Sequence, residues 1–179
     1  MSASPMNDEP RPNTTRLFLA LWPPRAVRDD LRAWRDAWTW PRRATPVPAD
    51  KLHLTLHFLG ALPEARLSAL IDGVAVPFEP FRLDFGRPAL WPHGIAVLEP
   101  CAAPPELLAL HARLGAALVN LGLQPEARRY RPHVTLARRA GGGAMAPAGP
   151  PIAWQADSYA LVESRAGAYT VVREYEHTH

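Results

Sequence analysis

The sequence predicts an α+β domain with antiparallel strand pairing, and three observations lead there. Short stretches with apolar residues at every second position are interleaved with a few stretches of helical period. The strand-like stretches fall at hairpin spacing rather than one after each helix, which disfavours a doubly wound parallel sheet. A His-x-Thr-Leu tetrapeptide occurs twice, at His53 and His133, each time after a helix and a loop. That offset is too long for a solenoid repeat and suits a duplicated lobe.

The elements follow in order. Arg16–Trp22 reads as a buried strand stopped by Pro23-Pro24. Pro24 suits a first helical turn, and Val27, Leu31, Trp34 and Trp38 recur at helical spacing. Trp40–Asp50 carries three prolines and reads as a loop. Lys51–Leu59 alternates: Leu52, Leu54, Leu56 and Phe58 point one way, His53, Thr55 and His57 the other. Gly60 is expected to end this strand, with a helix over Pro63–Val74. Phe81–Leu98 predicts two or three antiparallel strands broken at Gly86-Arg87-Pro88 and Pro92-His93-Gly94. Pro104–Leu121 is the strongest helix, with Leu107, Leu110, Leu114 and Leu118 as its stripe and Gly122 after it. His133–Ala137 is a further strand, Ala140–Pro151 a mobile Gly/Ala/Pro-rich loop, and Ile152–Trp154, Tyr159–Glu163 and Tyr169–Tyr175 the last strands.

The bulk properties narrow the setting. At 179 residues, 47% hydrophobic and 21% charged, the chain suits one compact domain, expected over residues 16–179. Met1–Thr15 is polar, lacks the apolar segment of a signal peptide, and is expected to be a disordered tail. No apolar run approaches the roughly 18 residues of a membrane span. The single cysteine, Cys101, cannot form an internal disulfide, which points to a reducing cytoplasm; it reads as a loop thiol. A net charge of +3 and a pI near 9.5 favour anionic ligands.

The doubled tetrapeptide carries the chemistry. Placed at random, 7 His and 8 Thr give about 0.3 His-x-Thr triplets, and two copies that both continue into Leu fall below about 0.001. On a strand, residues i and i+2 point the same way about 6.6 Å apart, so an imidazole and a hydroxyl address one ligand group. The hydroxyl can donate to a phosphate oxygen while the imidazole exchanges a proton. Two such strands across a cleft would put a base on the attacking side and an acid on the leaving side. Histidine suits both tasks, because its pKa near 6.5 allows one neutral and one charged ring. A metal site is less well supported: His53 and His57 would lie about 13 Å apart along the strand, and neither motif contains Asp, Glu or Cys. His57 reads as a rim residue, and His93, His111, His177 and His179 as solvated surface or tail.

Arg16-Leu-Phe-Leu-Ala-Leu, His53-Leu-Thr-Leu-His-Phe-Leu-Gly60, Arg131-Pro-His-Val-Thr-Leu-Ala-Arg138 and Leu161-Val-Glu-Ser164 followed by Tyr169 together resemble the two-histidine phosphoesterases. Within them the match is to the RNA 2′,3′-cyclic phosphodiesterases, formerly called 2′-5′ RNA ligases. The resemblance spans about Arg16–Tyr175 and implies a bilobal fold with pseudo-two-fold symmetry and a central cleft. It implies hydrolysis of RNA 2′,3′-cyclic phosphate ends to 2′-phosphates, with no metal and no cofactor. His53 would be the proton donor to O3′ and His133 the acceptor that activates water, labels the sequence alone leaves exchangeable. Thr55 and Thr135 would hold phosphate oxygens. Arg138 matches an arginine near the phosphate, yet strict alternation from His133 puts it on the opposite face, so that role requires a bulge or strand end. Phe18 and Tyr130 are possible base-stacking rings, with packing favoured for Phe18. The expected partner is an RNA end or a related cyclic nucleotide, no membrane is expected, and the chain is expected to be a monomer. Two alternatives stay open: a small nucleotide cyclic phosphate as substrate, or an RNA-end-binding module without turnover, which the basic run Arg128, Arg129 and Arg131 would suit.

Overall fold

In the computed structural model, which describes residues 13–177, apolar alternation gives one antiparallel sheet and the helical stripes cover one of its faces. The elements are β1 (Thr14–Leu21), α1 (Arg25–Asp36), β2 (Thr45–Pro46), β3 (Leu54–Pro63), α2 (Leu67–Gly73), β4 (Phe81–Trp91), β5 (Ile95–Pro100), α3 (Pro105–Asn120), β6 (Val134–Arg138), β7 (Ile152–Ala156), β8 (Ser158–Arg165) and β9 (Ala168–Glu176). Their order in the sheet is β7-β4-β5-β6-β3-β1-β8-β9, with β2 paired to β6. This is the expected α+β class. Apart from β2, four strands lie on each side of the β6–β3 seam, and each half presents a His-x-Thr-Leu segment to it.

The seam is narrow. β3 and β6 meet at one residue pair, Leu54 opposite Val134, after which β2 takes the freed edge of β6. Leu54 and Val134 occupy the same position in the two repeats, so the pseudo-two-fold axis passes through this pair. Helices pack crosswise: α1 rests on β6 and β7, and α3 on β3. Leu107, Leu110, Leu114 and Leu118 of α3 are all buried, as the stripe predicts, and one buried apolar cluster runs through both halves. Truncating such a leucine to alanine costs about 2–5 kcal/mol. A smaller cluster of Phe18, Ala20, Ala160 and Val162, with Trp22 and Tyr169 against it, lies apart from that core.

Several boundaries differ from expectation. β1 begins at Thr14, so Thr14 and Thr15 of the expected tail are strand; residues 1–12 of that tail lie outside the described residues. Gly60 does not end β3. It takes φ +75° beside an unpaired Leu59, a bulge in which a glycine's tolerance of positive φ is used, and the strand continues to Pro63. The helix expected over Pro63–Val74 shrinks to a 3₁₀ turn at Glu64–Arg66 and a short α2. Trp38 lies beyond α1, buried and stacked on Trp40. β4 runs straight through Gly86-Arg87-Pro88 with a bulge at Gly86. Pro88 is tolerated because β7 pairs only with Phe81–Phe85, leaving that flank without a ladder partner. The second expected break, at Pro92–Gly94, is a 3₁₀ turn.

The loop over Ala140–Pro151 is tied down rather than loose. Trp34 Nε1 donates to the Pro150 carbonyl at 2.8 Å, Ala144 bridges Thr39, and Ala140 and Ala146 are buried. A Cβ on Gly149 would come within 2.3 Å of the Trp34 ring, so the close approach requires glycine.

Candidate active site

Both histidines sit one residue before their strands, at the mouths of β3 and β6, where the seam opens. The register Leu54–Val134 sets His53 across from Thr135 and Thr55 across from His133. Diagonal neighbours in such a pair lie about 7–8 Å apart, which brings the two imidazoles to opposite corners of one four-residue patch.

The two rings are held alike. His53 Nδ1 donates to the Lys51 carbonyl at 2.6 Å, and His133 Nδ1 donates to the Arg131 carbonyl at 2.8 Å. A proton on Nδ1 leaves Nε2 as the basic atom in the neutral ring. For His53 that atom accepts from the Thr55 hydroxyl at 2.9 Å, the same-face i, i+2 contact expected of the motif.

Past the threonines, both strands break alternation at the same place. Leu56 is unpaired opposite β1 and Leu136 is unpaired opposite β5, a bulge in each repeat. The burial sequences of Leu54–Phe58 and Val134–Arg138 are identical, with two consecutive buried residues followed by an exposed one. The bulge at Leu136 turns Arg138 to the exposed side, close enough to His53 for its charge to lower that ring's proton affinity. The bulge at Leu56 does the same to Phe58, which is 54% exposed and lines a cavity with Thr55 and His133. Phe58 therefore leaves the core in which alternation placed it.

His57 is likewise not a rim residue. It is buried, its Nε2 donates to the His111 carbonyl at 2.8 Å, and its ring stacks on His111 with centroids 4.0 Å apart. His111 stacks in turn on Tyr130 at 3.8 Å, so His111 is packed rather than solvated. Burial lowers both histidines, His111 to about 4. Tyr130 is spoken for, with its hydroxyl donating to the Thr55 carbonyl at 3.0 Å and burial pushing its pKa up. His177 Nδ1 donates to the Phe78 carbonyl, His93 is exposed in the 3₁₀ turn, and His179 lies outside the described residues. Cys101 is exposed in the turn before α3.

The side chains around the two rings differ. His53 lies against Phe18 (4.8 Å), Tyr169 (5.6 Å) and Trp22 (5.7 Å), and the Arg28 guanidinium covers Trp22 at 5.4 Å. Burial in this box lowers the His53 pKa to about 4; His133, Arg138 and Arg28 push the same way, against the Lys51 carbonyl bond. Phe18 packs on the imidazole, as its strand position suggests. His133 lies 4.3 Å from Trp91, whose Nε1 donates to buried Glu99 at 3.0 Å. Arg131 pairs with the same carboxylate at 2.6 Å and caps Trp91 at 4.5 Å. Burial lowers the His133 pKa as well, but here the Glu99 charge raises it. Trp22, Trp91 and Glu99 were not among the residues the sequence singled out. A signal was available: Trp22 and Glu99 each stand immediately before a proline and follow the partners of Leu54 and Val134.

Among the described residues, no three His, Cys, Asp or Glu side chains converge as a metal-binding group, and no helix is long and apolar enough to cross a membrane.

A model of the 2′-5′ RNA ligase superfamily matches residues 23–168. The chain is 34% identical over 152 residues to an RNA 2′,3′-cyclic phosphodiesterase of Escherichia coli, covering 83% of each chain. It is 34% identical over 180 residues to an RNA 2′,3′-cyclic phosphodiesterase of Thermus thermophilus, covering 89% of each. A crystal structure of Escherichia coli LigT complexed with 3′-AMP superposes with a TM-score of 0.80 at 26% identity, covering 93% of this chain and 100% of that one.

Proposed function

We propose that this chain, which belongs to the 2′-5′ RNA ligase superfamily, opens 2′,3′-cyclic phosphate ends of RNA to 2′-phosphates, using His53 and His133 as an acid–base pair and no metal ion. What supports the reading is the Leu54–Val134 pair, whose register puts His53 and Thr55 on one strand against Thr135 and His133 on the other, with the His133 charge near enough to lower the His53 pKa. The relatives' named activity and the 3′-AMP held by LigT support a nucleotide phosphate as the substrate class.

A cyclic phosphate at the seam lies between the rings. Thr55 and Thr135 hydroxyls donate to its non-bridging oxygens, and the Arg138 guanidinium offsets its charge. Water attacks phosphorus from the His133 side, and His133 Nε2 takes the water proton as the P–O bond forms. Glu99 stabilises the imidazolium that results, as a carboxylate near a catalytic base does. On the far side the P–O3′ bond breaks, and His53 Nε2 delivers a proton to the departing O3′, leaving the 2′-phosphate. His53 is a poor proton holder in the empty cleft, with a pKa of about 4, and gains its proton when the phosphate anion lies against it. An acid that holds its proton weakly gives it up readily to a developing alkoxide.

The same geometry accepts a cyclic mononucleotide, so the contribution of the polymer beyond the terminal nucleotide is a separate question. The test is turnover of a 2′,3′-cyclic-phosphate-ended oligonucleotide with EDTA present. Full activity and a 2′-phosphate product are expected; an EDTA-sensitive rate or a 3′-phosphate product would overturn the mechanism, and tight binding without turnover would favour a passive end-binding module.

A further inference from the structure

Two cavities flank the loop that leads into β6. One, about 210 Å³, takes Thr55, Phe58, Trp91 and His133 in its lining and so opens onto the patch between the histidines. The other, about 620 Å³, is bounded by Arg87, Glu99 and Leu108 among others and lies on the β4–β5 side. Arg129, Tyr130 and Arg131 belong to the walls of both, which makes the cavities adjoining parts of one path leading away from His133.

The path is lined with arginine. Two of its cations are committed: Arg128 pairs with Glu126 at 2.7 Å and Arg131 with Glu99 at 2.6 Å. Arg87 and Arg129 are exposed and make no side-chain hydrogen bond or ion pair with any described residue. Arg87 stands on a paired strand directly across from Glu99, so its position is set by the sheet although its guanidinium forms no ion pair with any described residue. Guanidinium groups bind phosphate bidentately and stack on bases, and the exposed Phe58 and Leu108 add apolar surface in the two cavities.

We propose that Arg87 and Arg129 form a track for the backbone phosphates of single-stranded RNA leaving the cleft beside His133. This rests on the phosphodiesterase reading for the identity of the RNA end, and it names what that reading leaves open: the site takes a polymer in preference to a lone cyclic nucleotide. The occupant is RNA rather than an acidic peptide because the path is continuous with the site that receives the RNA end.

The experiment compares kcat/KM on a 2′,3′-cyclic-ended decanucleotide with kcat/KM on a 2′,3′-cyclic mononucleotide, for wild type, for R87A/R129A, and for R82A/R173A, which removes equal charge elsewhere. The ratio of oligonucleotide to mononucleotide is expected to fall about tenfold in R87A/R129A and to hold in R82A/R173A. For oligonucleotide binding, the slope of log K against log salt is expected to shrink by about 1.4, at about 0.7 per lost phosphate contact on a single strand. An unchanged ratio in R87A/R129A, or an equal fall in the control pair, would overturn the track. If wild type turns over neither substrate, the phosphodiesterase reading fails by itself. Fluorescence anisotropy with a labelled decanucleotide then still decides the track, and equal binding by wild type and R87A/R129A refutes it.

Discussion

His53 and His133 share a backbone and differ in surroundings. Both donate from Nδ1 to the carbonyl two residues earlier, both precede a strand, and both are followed three residues later by an unpaired leucine. Around His53 the chain supplies rings and two arginines; around His133 it supplies Trp91 and a buried carboxylate engaged with Arg131. Trp22 and Glu99 hold equivalent places, each one residue past the partner of the seam pair. Duplication fixes where two imidazoles stand, and the unlike neighbours set what each does with a proton. A symmetric pair would give the proposed reaction no preferred direction of proton transfer; the unlike neighbours of these two rings would give it one.

The largest expected effect tests what the halves share. H53A and H133A should each lower kcat by roughly 10²- to 10⁴-fold while circular dichroism keeps the wild-type spectrum. The double variant should be little worse than either single one, because the two act as a unit; multiplicative losses would show independent roles. Next comes the pair at equivalent post-bulge positions. R138A should cost about ten- to a hundredfold in kcat/KM, a charge-assisted hydrogen bond being worth about 1.5–3 kcal/mol. F58A should raise KM for nucleotide substrates with kcat kept, and equal kinetic signatures from the two variants would mean that the two positions do the same job.

E99Q separates the rings by pH. One ring must be charged and the other neutral, so kcat/KM falls at low pH when both are protonated and at high pH when both are neutral. Both pKa values lie below the ordinary 6.5, His53 at about 4, so the optimum falls on the acid side of 6.5. Removing the Glu99 charge takes away the influence that raises His133 and leaves Arg131 unpaired, which lowers it further. The limb reporting His133 should therefore move to lower pH in E99Q and stay in place in E99D; a shift upward would contradict the assignment.

The smallest effect concerns His57, whose counterpart is Ala137. His57 and His111 have folded pKa values below 6.5, so the unfolded chain binds more protons there, and stability is lost as pH falls from 6.5 towards about 4. H111F keeps the stack and removes one titrating ring, so its Tm should drop less over that window.

Much of this was legible in residues. The leucine stripe of α3, the i, i+2 pairing of His53 with Thr55 and the 80-residue echo all follow from periods that a single sequence displays. The bulges at Leu56 and Leu136 were not, because a bulge depends on the partner strand's register and leaves ordinary residues behind. That one feature moved His57 inward and Phe58 outward, and it supplied the turn that Arg138 needed. The Ala140–Pro151 loop misled by composition: its anchor is a backbone carbonyl that accepts from Trp34 Nε1, which no side-chain pattern announces. Glu99 and Trp91 carry no motif, and their meaning appears only once β4 and β5 bring them to His133.

The most direct measurement is an NMR titration of the imidazole nitrogens, with and without inorganic phosphate. His53 should titrate near 4 in the free protein, both rings should carry the proton on Nδ1 when neutral, and phosphate should shift both titrations upward together. Two rings that titrate near 6.5, or a phosphate response confined to one of them, would contradict a shared site with unlike halves.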